Sequence, residues 1–261
     1  MNKDIKSILV HLPKLWQYDV MGSTAVLVSF SGGQSSALMG AYFCEKYPNR
    51  IGNDIHFFFG DTGQEMPETY QFIEQFEAYY NIKVEKRKKD LIELIEKTGY
   101  LPNRMMRYCT SRIKEHPAKK YAVSLGYKPN DYTMALGLRY DEPLRVHRMK
   151  DKHLLPLHYG FITKQDVNSF WDEQPFKLDI PNYKGNCKFC FLKSLPKLIA
   201  LAKEYPQEFL QWAELEEKHK RGKHGFRQDI TFRAIYELSQ QKTLFDFADS
   251  HNDEIACSCT D

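Results

Sequence analysis

The chain has 261 residues, of which 42% are hydrophobic and 27% charged, with a formal net charge of +3. That is enough chain for one large domain, or a main domain with an appendage, around a substantial core. No apolar run approaches the ~20 residues of a membrane span, and Asp4, Lys6 and His11 interrupt the N-terminal apolar pieces, so no membrane association and a cytoplasmic location are expected.

An amphipathic N-terminal segment leads into Val26-Leu27-Val28-Ser29-Phe30, which reads as a buried strand, and Ser31-Gly32-Gly33-Gln34-Ser35-Ser36 then turns the chain into a helix running to about Lys46. Such a turn builds a phosphate cradle. Gly32 and Gly33 permit tight turning and close approach, Ser31, Ser35 and Ser36 supply hydroxyls, and the helix start contributes free amides and a positive dipole end. The glycine spacing fits neither a Walker loop nor a dinucleotide fingerprint, and a Gly-Gly turn also occurs without any ligand.

Ile55 to Phe59 reads as a second buried strand, Glu68 to Tyr80 as a helix, Ile82 to Lys86 as an edge strand and Asp90 to Lys97 as a short helix. Arg112 to Leu125 continues as a helix and Tyr132 to Gly137 as a strand. This alternation predicts an α/β fold with a mostly parallel central sheet and helices on both faces, the glycine turn lying at the carboxyl edge where such sheets bind ligands. Pro181 to Ser194 breaks the pattern, and Leu195 to Lys218 and His224 to Gln241 read as helices. The expected division is a nucleotide-binding α/β region over 1–180 and a Cys-containing, mainly helical region over 181–261. Two basic runs, 83–89 and 218–224, are dense enough to contact a phosphate backbone; each also reads as a solvated face or loop.

Six cysteines are present: Cys44, Cys109, Cys187, Cys190, Cys257 and Cys259. Cys44 reads as a small core residue. The Cys187-Lys188-Phe189-Cys190 spacing lets two thiolates converge on one metal, and without a secretion signal a metal or redox role is favoured over a structural disulfide. A closed site needs further ligands, for which Cys109 and the tail pair Cys257 and Cys259 are the candidates.

Several segments together carry a resemblance. Ser31-Gly32-Gly33-Gln34-Ser35-Ser36 resembles the PP-loop of the ATP pyrophosphatases, in the branch holding the phosphoadenosine-phosphosulfate reductases and the ATP pyrophosphatases of DNA phosphorothioation, with Ser35 in place of the commoner Asp. Asp61-Thr62-Gly63, Cys109-Thr110 with Lys114, Gly137-Leu138-Arg139 with Glu142, and Pro156-Leu157 with Asp166-Val167 resemble later family segments in the same order. The resemblance, spanning about residues 24 to 195, implies an adenine nucleotide alpha hydrolase-like fold that uses ATP and Mg²⁺. It places Ser29, Ser31, Gly32, Gly33, Gln34, Ser35, Ser36, Asp61, Thr62, Gly63, Gly137 and Arg139 around the nucleotide, with Ser31, Asp61, Arg139 and Arg145 carrying the chemistry. Arg139 and Arg145 suit an anion clamp, against which stands surface ion pairing with Asp141 and Glu142; Asp61 holds Mg²⁺ or ribose, or else caps a turn. Lys114, His116 and Lys193 are further phosphate contacts or ordinary surface.

Iron-sulfur members of the family imply a [4Fe-4S] cluster on Cys109, Cys187 and Cys190, completed by Cys257, Cys259 or a substrate sulfur; Thr110 stands where those members have a second Cys. A zinc site on Cys187, Cys190, Cys257 and Cys259 is the alternative. The expected activity is adenylation of an oxygen, on nucleic acid and on DNA in preference to tRNA, for sulfur insertion, with a cysteine desulfurase as sulfur donor. The alternatives are a sulfonucleotide reductase, against which the tail Ala256-Cys257-Ser258-Cys259 lacks the expected Glu-Cys-Gly pattern, and a non-catalytic nucleotide-binding partner with a structural metal.

Overall fold

The computed structural model describes residues 24–185, 187–221 and 225–241. Four parallel strands form one sheet in the order β3-β2-β1-β4: β1 (Ala25–Ser29), β2 (Ile55–Asp61), β3 (Val84–Lys88) and β4 (Tyr132–Ala135). Strand β2 is buried at every position and β1 at four of five, as parallel strands covered on both faces must be. One face carries Val26, Val28, Phe57 and Phe59 into the main core, with α1 (Gln34–Lys46), α2 (Pro67–Tyr80) and α7 (Lys164–Asp172), the last preceded by the short helices α5 (Pro143–Met149) and α6 (Pro156–Tyr159). The alternate residues Leu27 and Phe58 meet Ala118 and Ala122 of α4 (His116–Ser124) on the other face. Helices therefore cover both faces, as expected.

Element ends move for identifiable reasons. Asp90 is the N-cap of α3 (Leu91–Thr98), its Oδ1 accepting from the amides of Ile92 and Glu93, so it stands outside the helix. The continuous helix expected from Arg112 is instead a π-helix over Thr110–Glu115 followed by α4, with Pro117 in its first turn. The helix expected over 195–218 is two, α8 (Leu195–Glu204) and α9 (Pro206–His219), because Pro206 has no amide hydrogen to continue the first. The last helix is shorter than expected: α10 begins at Phe232, capped by Thr231. Buried Glu216 holds the connection before it, accepting from the amides of Phe226 (2.8 Å) and Phe232 (2.6 Å). These C-terminal helices share a second core with Leu91, Leu94 and Ile95 of α3 and with Ile113 of the π-helix.

The basic run at 83–89 lies on β3, an edge strand, where charge discourages pairing with another chain; Lys86 and Arg87 are paired with Glu77 and Glu85. In the second run Lys218 and His219 share Glu96, and residues 222–224 lie outside the described set. No helix among the described residues is long and apolar enough to cross a membrane.

Candidate functional site

The strand order reverses between β1 and β4, so the loops leaving these two strands flank a crevice at the carboxyl edge, the position where open parallel sheets bind ligands. The loop from β1 is tied by one hydroxyl. Ser36 Oγ accepts from the Ser31 amide (3.1 Å) and hydroxyl (2.9 Å) and donates to the Gly33 carbonyl (2.9 Å). Gly32 adopts φ +75°, and a Cβ there would lie 2.5 Å from Thr69 Cγ2, so both conformation and space require glycine. Gly33 is extended, and a Cβ there meets only Ser31 Oγ at 3.7 Å; its lack of a side chain leaves the loop face open. Helix α1 begins without a side-chain N-cap hydrogen bond and without an acidic residue in its first turn, leaving its amide end available to an anion.

The loop from β4 closes against this turn. A Cβ on Gly137 would lie 2.8 Å from Ser36 Cα and 2.9 Å from Ser36 N, so glycine permits the two backbones to touch. Arg139 reaches back, its Nη1 donating to Ser35 Oγ at 3.1 Å while its Nε pairs with Asp141 at 2.9 Å. Buried Glu142 accepts from the Arg139 amide at 3.0 Å and is paired with the buried Arg145 guanidinium. Both proposed clamp residues thus make the ion pairs that were their alternative reading; Arg139 also touches the loop, whereas Arg145 is directed at Glu142. Gln34 faces away from the crevice: its Nε2 donates to the Leu178 carbonyl (3.4 Å), and its own carbonyl accepts from Trp171 Nε1 (2.9 Å). Ser29 ends β1, half-buried beneath the loop.

At the end of β2, Asp61 Oδ1 accepts from the Gly63 amide (2.7 Å) and from the Tyr70 hydroxyl (2.8 Å), which is the turn-capping role. Gly63 has φ +71°, and a Cβ there would meet Asp90 Oδ2 at 2.4 Å. Thr62 Oγ1 donates to buried Glu65 (3.1 Å) and lies 3.2 Å from Cys187 Sγ; Cys187 Sγ in turn lies 3.6 Å from Glu65 Oε1. With the Lys188 amide donating to the Gln64 carbonyl (2.7 Å), the Cys-x-x-Cys loop is docked directly on the Asp61-Thr62-Gly63 turn. Glu65 was not singled out from the sequence; three residues after Thr62, it reads as an ordinary surface acid until the loop from residue 187 covers it.

Cys109, Cys187 and Cys190 line one pocket with Thr62, Arg107 and Lys114. Gly60 seats the wall that holds Cys109 and Lys114, since a Cβ there would lie 2.8 Å from the Ile113 carbonyl and 2.9 Å from Lys114 Cα. Burial pushes the Cys109 thiol up, opposed by the nearby Lys114 ammonium, and pushes Cys44 up to about 12 in the core. No disulfide links these four cysteines. No group of three or more His, Cys, Asp or Glu side chains among the described residues is arranged to hold a metal ion, so the three thiols share a pocket without forming a metal cage. Cys257 and Cys259 lie outside the described residues. Lys193 is a correction: it is buried, with Nζ donating to the carbonyls of Tyr183 (2.6 Å) and Gly185 (2.5 Å), so it braces the cysteine loop and faces no phosphate. His116 is exposed at the start of α4.

Residues 25–154 match the phosphoadenosine phosphosulfate reductase domain family. An uncharacterized nin region protein of Escherichia phage lambda is 32% identical over 199 residues, covering 66% of this chain and 67% of its own. An uncharacterized Methanocaldococcus jannaschii protein is 26% identical over 222 residues, covering 78% of this chain and 45% of its own. The solved NH3-dependent NAD synthetase of Campylobacter jejuni superposes with a TM-score of 0.47 at 14% identity, covering 84% of this chain and 94% of that one. With the β1 turn, the Asp61 turn and the Arg139 loop gathered at one sheet edge, the chain belongs to the PP-loop, phosphoadenosine phosphosulfate reductase-like family.

Proposed function

We propose that the chain is an ATP pyrophosphatase that adenylates an oxygen of a nucleic acid, DNA in preference to tRNA, ahead of sulfur insertion. The observation that carries the reading is the meeting of two loops at the switch point of the sheet: an open Ser31–Ser36 turn on a helix N-terminus, and Arg139 bonded to Ser35 across it. The turn holds the triphosphate with backbone amides and the hydroxyls of Ser31 and Ser35, and Arg139 offsets charge on the α-phosphate side. An acceptor oxygen forms a bond to the α-phosphorus as the bond to the bridging oxygen breaks, and pyrophosphate leaves with the electron pair. Mg²⁺, when bound, neutralises phosphate charge; Asp61 is the carboxylate at the strand end that would hold it, exchanging its present bond from Tyr70. A persulfide supplied by a desulfurase-type partner then attacks the activated centre as AMP leaves, giving a disulfide-linked adduct, and a second thiol attacks that S–S bond, leaving the inserted sulfur on the acceptor and carrying the inner sulfur away as a mixed disulfide. The thiol pocket supports sulfur chemistry beside the nucleotide, since Cys187 touches the Thr62 turn itself.

The three thiols are not arranged as a cage among the described residues; a [4Fe-4S] cluster belongs to this proposal only as Cys109, Cys187 and Cys190 completed by Cys257, Cys259 or a substrate sulfur, and zinc only as Cys187, Cys190, Cys257 and Cys259, and no step of the reaction is derived through either. Anaerobically purified protein carrying about four irons per chain supports the cluster, and colourless protein with stoichiometric zinc replaces it. The decisive assay is pyrophosphate release from Mg-ATP with DNA, tRNA and sulfate species offered in turn. Release that depends on DNA supports the reading; absence of pyrophosphate with every acceptor overturns it.

A further inference from the structure

Beside the Arg139 loop lies a cluster of rings that the packing does not cover. Tyr140 is 47% exposed and Phe161 68% exposed, with Tyr159 and Leu144 also exposed nearby. The rings touch one another. Tyr140 stacks on His158 with centroids 5.7 Å apart and planes 17° from parallel, and it contacts Phe161 at 5.1 Å. The patch is continuous with the nucleotide site, because Tyr140 directly follows the arginine that bonds Ser35.

Phe161 is held in an unusual way. Among the described residues only Asn81 and Phe161 are non-glycines with positive φ. Asn81 is the left-handed C-cap of α2, an ordinary place for Asn. Phe161, at φ +55°, is a large apolar residue in a conformation that favours glycine, and its ring points into solvent. Three backbone bonds fix it there: Phe161 to the His158 carbonyl, Ile162 to the Leu157 carbonyl, and Tyr140 to the Ile162 carbonyl. An exposed ring on a backbone held this way buries little apolar surface for folding, whereas it is placed for stacking.

The surrounding charge selects the partner. Residues 139–164 contain six lysines and arginines against three carboxylates, and with the buried Glu142–Arg145 pair set aside five cations face two carboxylates. His147, Arg148, Lys150 and Lys152 are all exposed. Aromatic faces set among cations fit stacked bases on a phosphate backbone. Duplex DNA hides its base faces, so the rings have nothing to stack on there.

We propose that Tyr140, Tyr159 and Phe161 form a base-stacking platform for single-stranded nucleic acid, which leads the acceptor strand past Arg139 into the PP-loop crevice. This rests on the reading of the acceptor as a nucleic acid. The test is fluorescence anisotropy with a labelled single-stranded oligonucleotide of about 12 nucleotides and the same sequence as a duplex, alongside ATP titration. Wild-type protein is expected to bind the single strand more tightly than the duplex, with affinity falling as salt rises. The Tyr140→Ala/Phe161→Gly pair is expected to lose roughly tenfold or more in single-strand affinity while keeping the salt slope, since stacking is removed and charge is not. Phe161→Gly alone relieves the backbone strain, so its melting temperature should match or exceed wild type and its ATP affinity should be unchanged. Equal affinity of the double variant and wild type overturns the platform, as does duplex binding as tight as single-strand binding or no single-strand binding at all. Failure of the enzymatic reading is separate: it appears as missing pyrophosphate release in protein that still binds the single strand through these rings.

Discussion

Replacing Gly137 with alanine tests whether backbone contact between the two loops builds the site. The new methyl would stand 2.8 Å from Ser36 Cα, 2.9 Å from Ser36 N and 3.0 Å from the Ser35 carbonyl carbon. All three are backbone atoms, so no rotamer change relieves the clash. Reaching an ordinary contact at 3.4 Å requires the start of α1 to withdraw by about 0.6 Å, and α1 is buried at every position from Ser36 to Cys44. Overpacking against so confined a helix costs about 1–3 kcal/mol. At roughly 2–4 °C per kcal/mol for a chain of this size, the melting temperature should fall by several degrees. The withdrawal also moves the amides of the proposed phosphate cradle, and misplacement on this scale should cost ATP affinity tenfold or more. Thermal melts with and without Mg-ATP, together with calorimetric titration, read both effects. Gly52→Ala is the control: its φ of +81° makes alanine strained, but nothing lies within 4 Å of the new methyl, so stability drops and ATP binding stays. If Gly137→Ala binds ATP as wild type does, the contact is not what shapes the cradle.

Glu142→Ala leaves Arg145 buried without its carboxylate and should cost about 3–5 kcal/mol, whereas Glu142→Leu/Arg145→Met should recover most of that stability. Urea unfolding of the single and double variants measures this, and a double variant as unstable as the single would show that Arg145 is not simply a staple. Gly60→Ala should push the π-helix off β2, lowering the melting temperature and speeding alkylation of Cys109 by maleimide; unchanged labelling counts against that packing argument. Burial lowers the pKa of His56, which keeps bonds to the Asn53 carbonyl and the Tyr127 hydroxyl. The unfolded chain therefore binds the proton more readily, and this residue's contribution to stability is complete above the unfolded pKa of about 6.5 and is lost as pH falls from there through the lower folded pKa. His56→Gln should flatten the fall in stability between pH 7 and 5, and an identical slope in the variant would assign the effect elsewhere.

What sequence alone determined is local and periodic. The apolar run of β1 followed by small residues could only be a strand leading to a turn, and the order of later segments established the family. The alternation of strands and helices predicted a parallel sheet covered on both faces, with the glycine turn at its carboxyl edge. What tertiary structure decided depends on partners far away in the chain. Arg145 reads like a phosphate clamp until Glu142 is found buried against it; Lys193 reads like a surface cation until carbonyls 8 and 10 residues away surround it. Glu65 gains meaning only because the loop 122 residues later brings Cys187 over it. The exposure and left-handed backbone of Phe161 are invisible in composition or period, since both arise from the turn that holds it against Tyr140. Short-range patterns are set by the steric and hydrogen-bonding preferences of neighbouring residues, which sequence displays directly. The charge state, exposure and direction of a side chain are set by whatever folds over it.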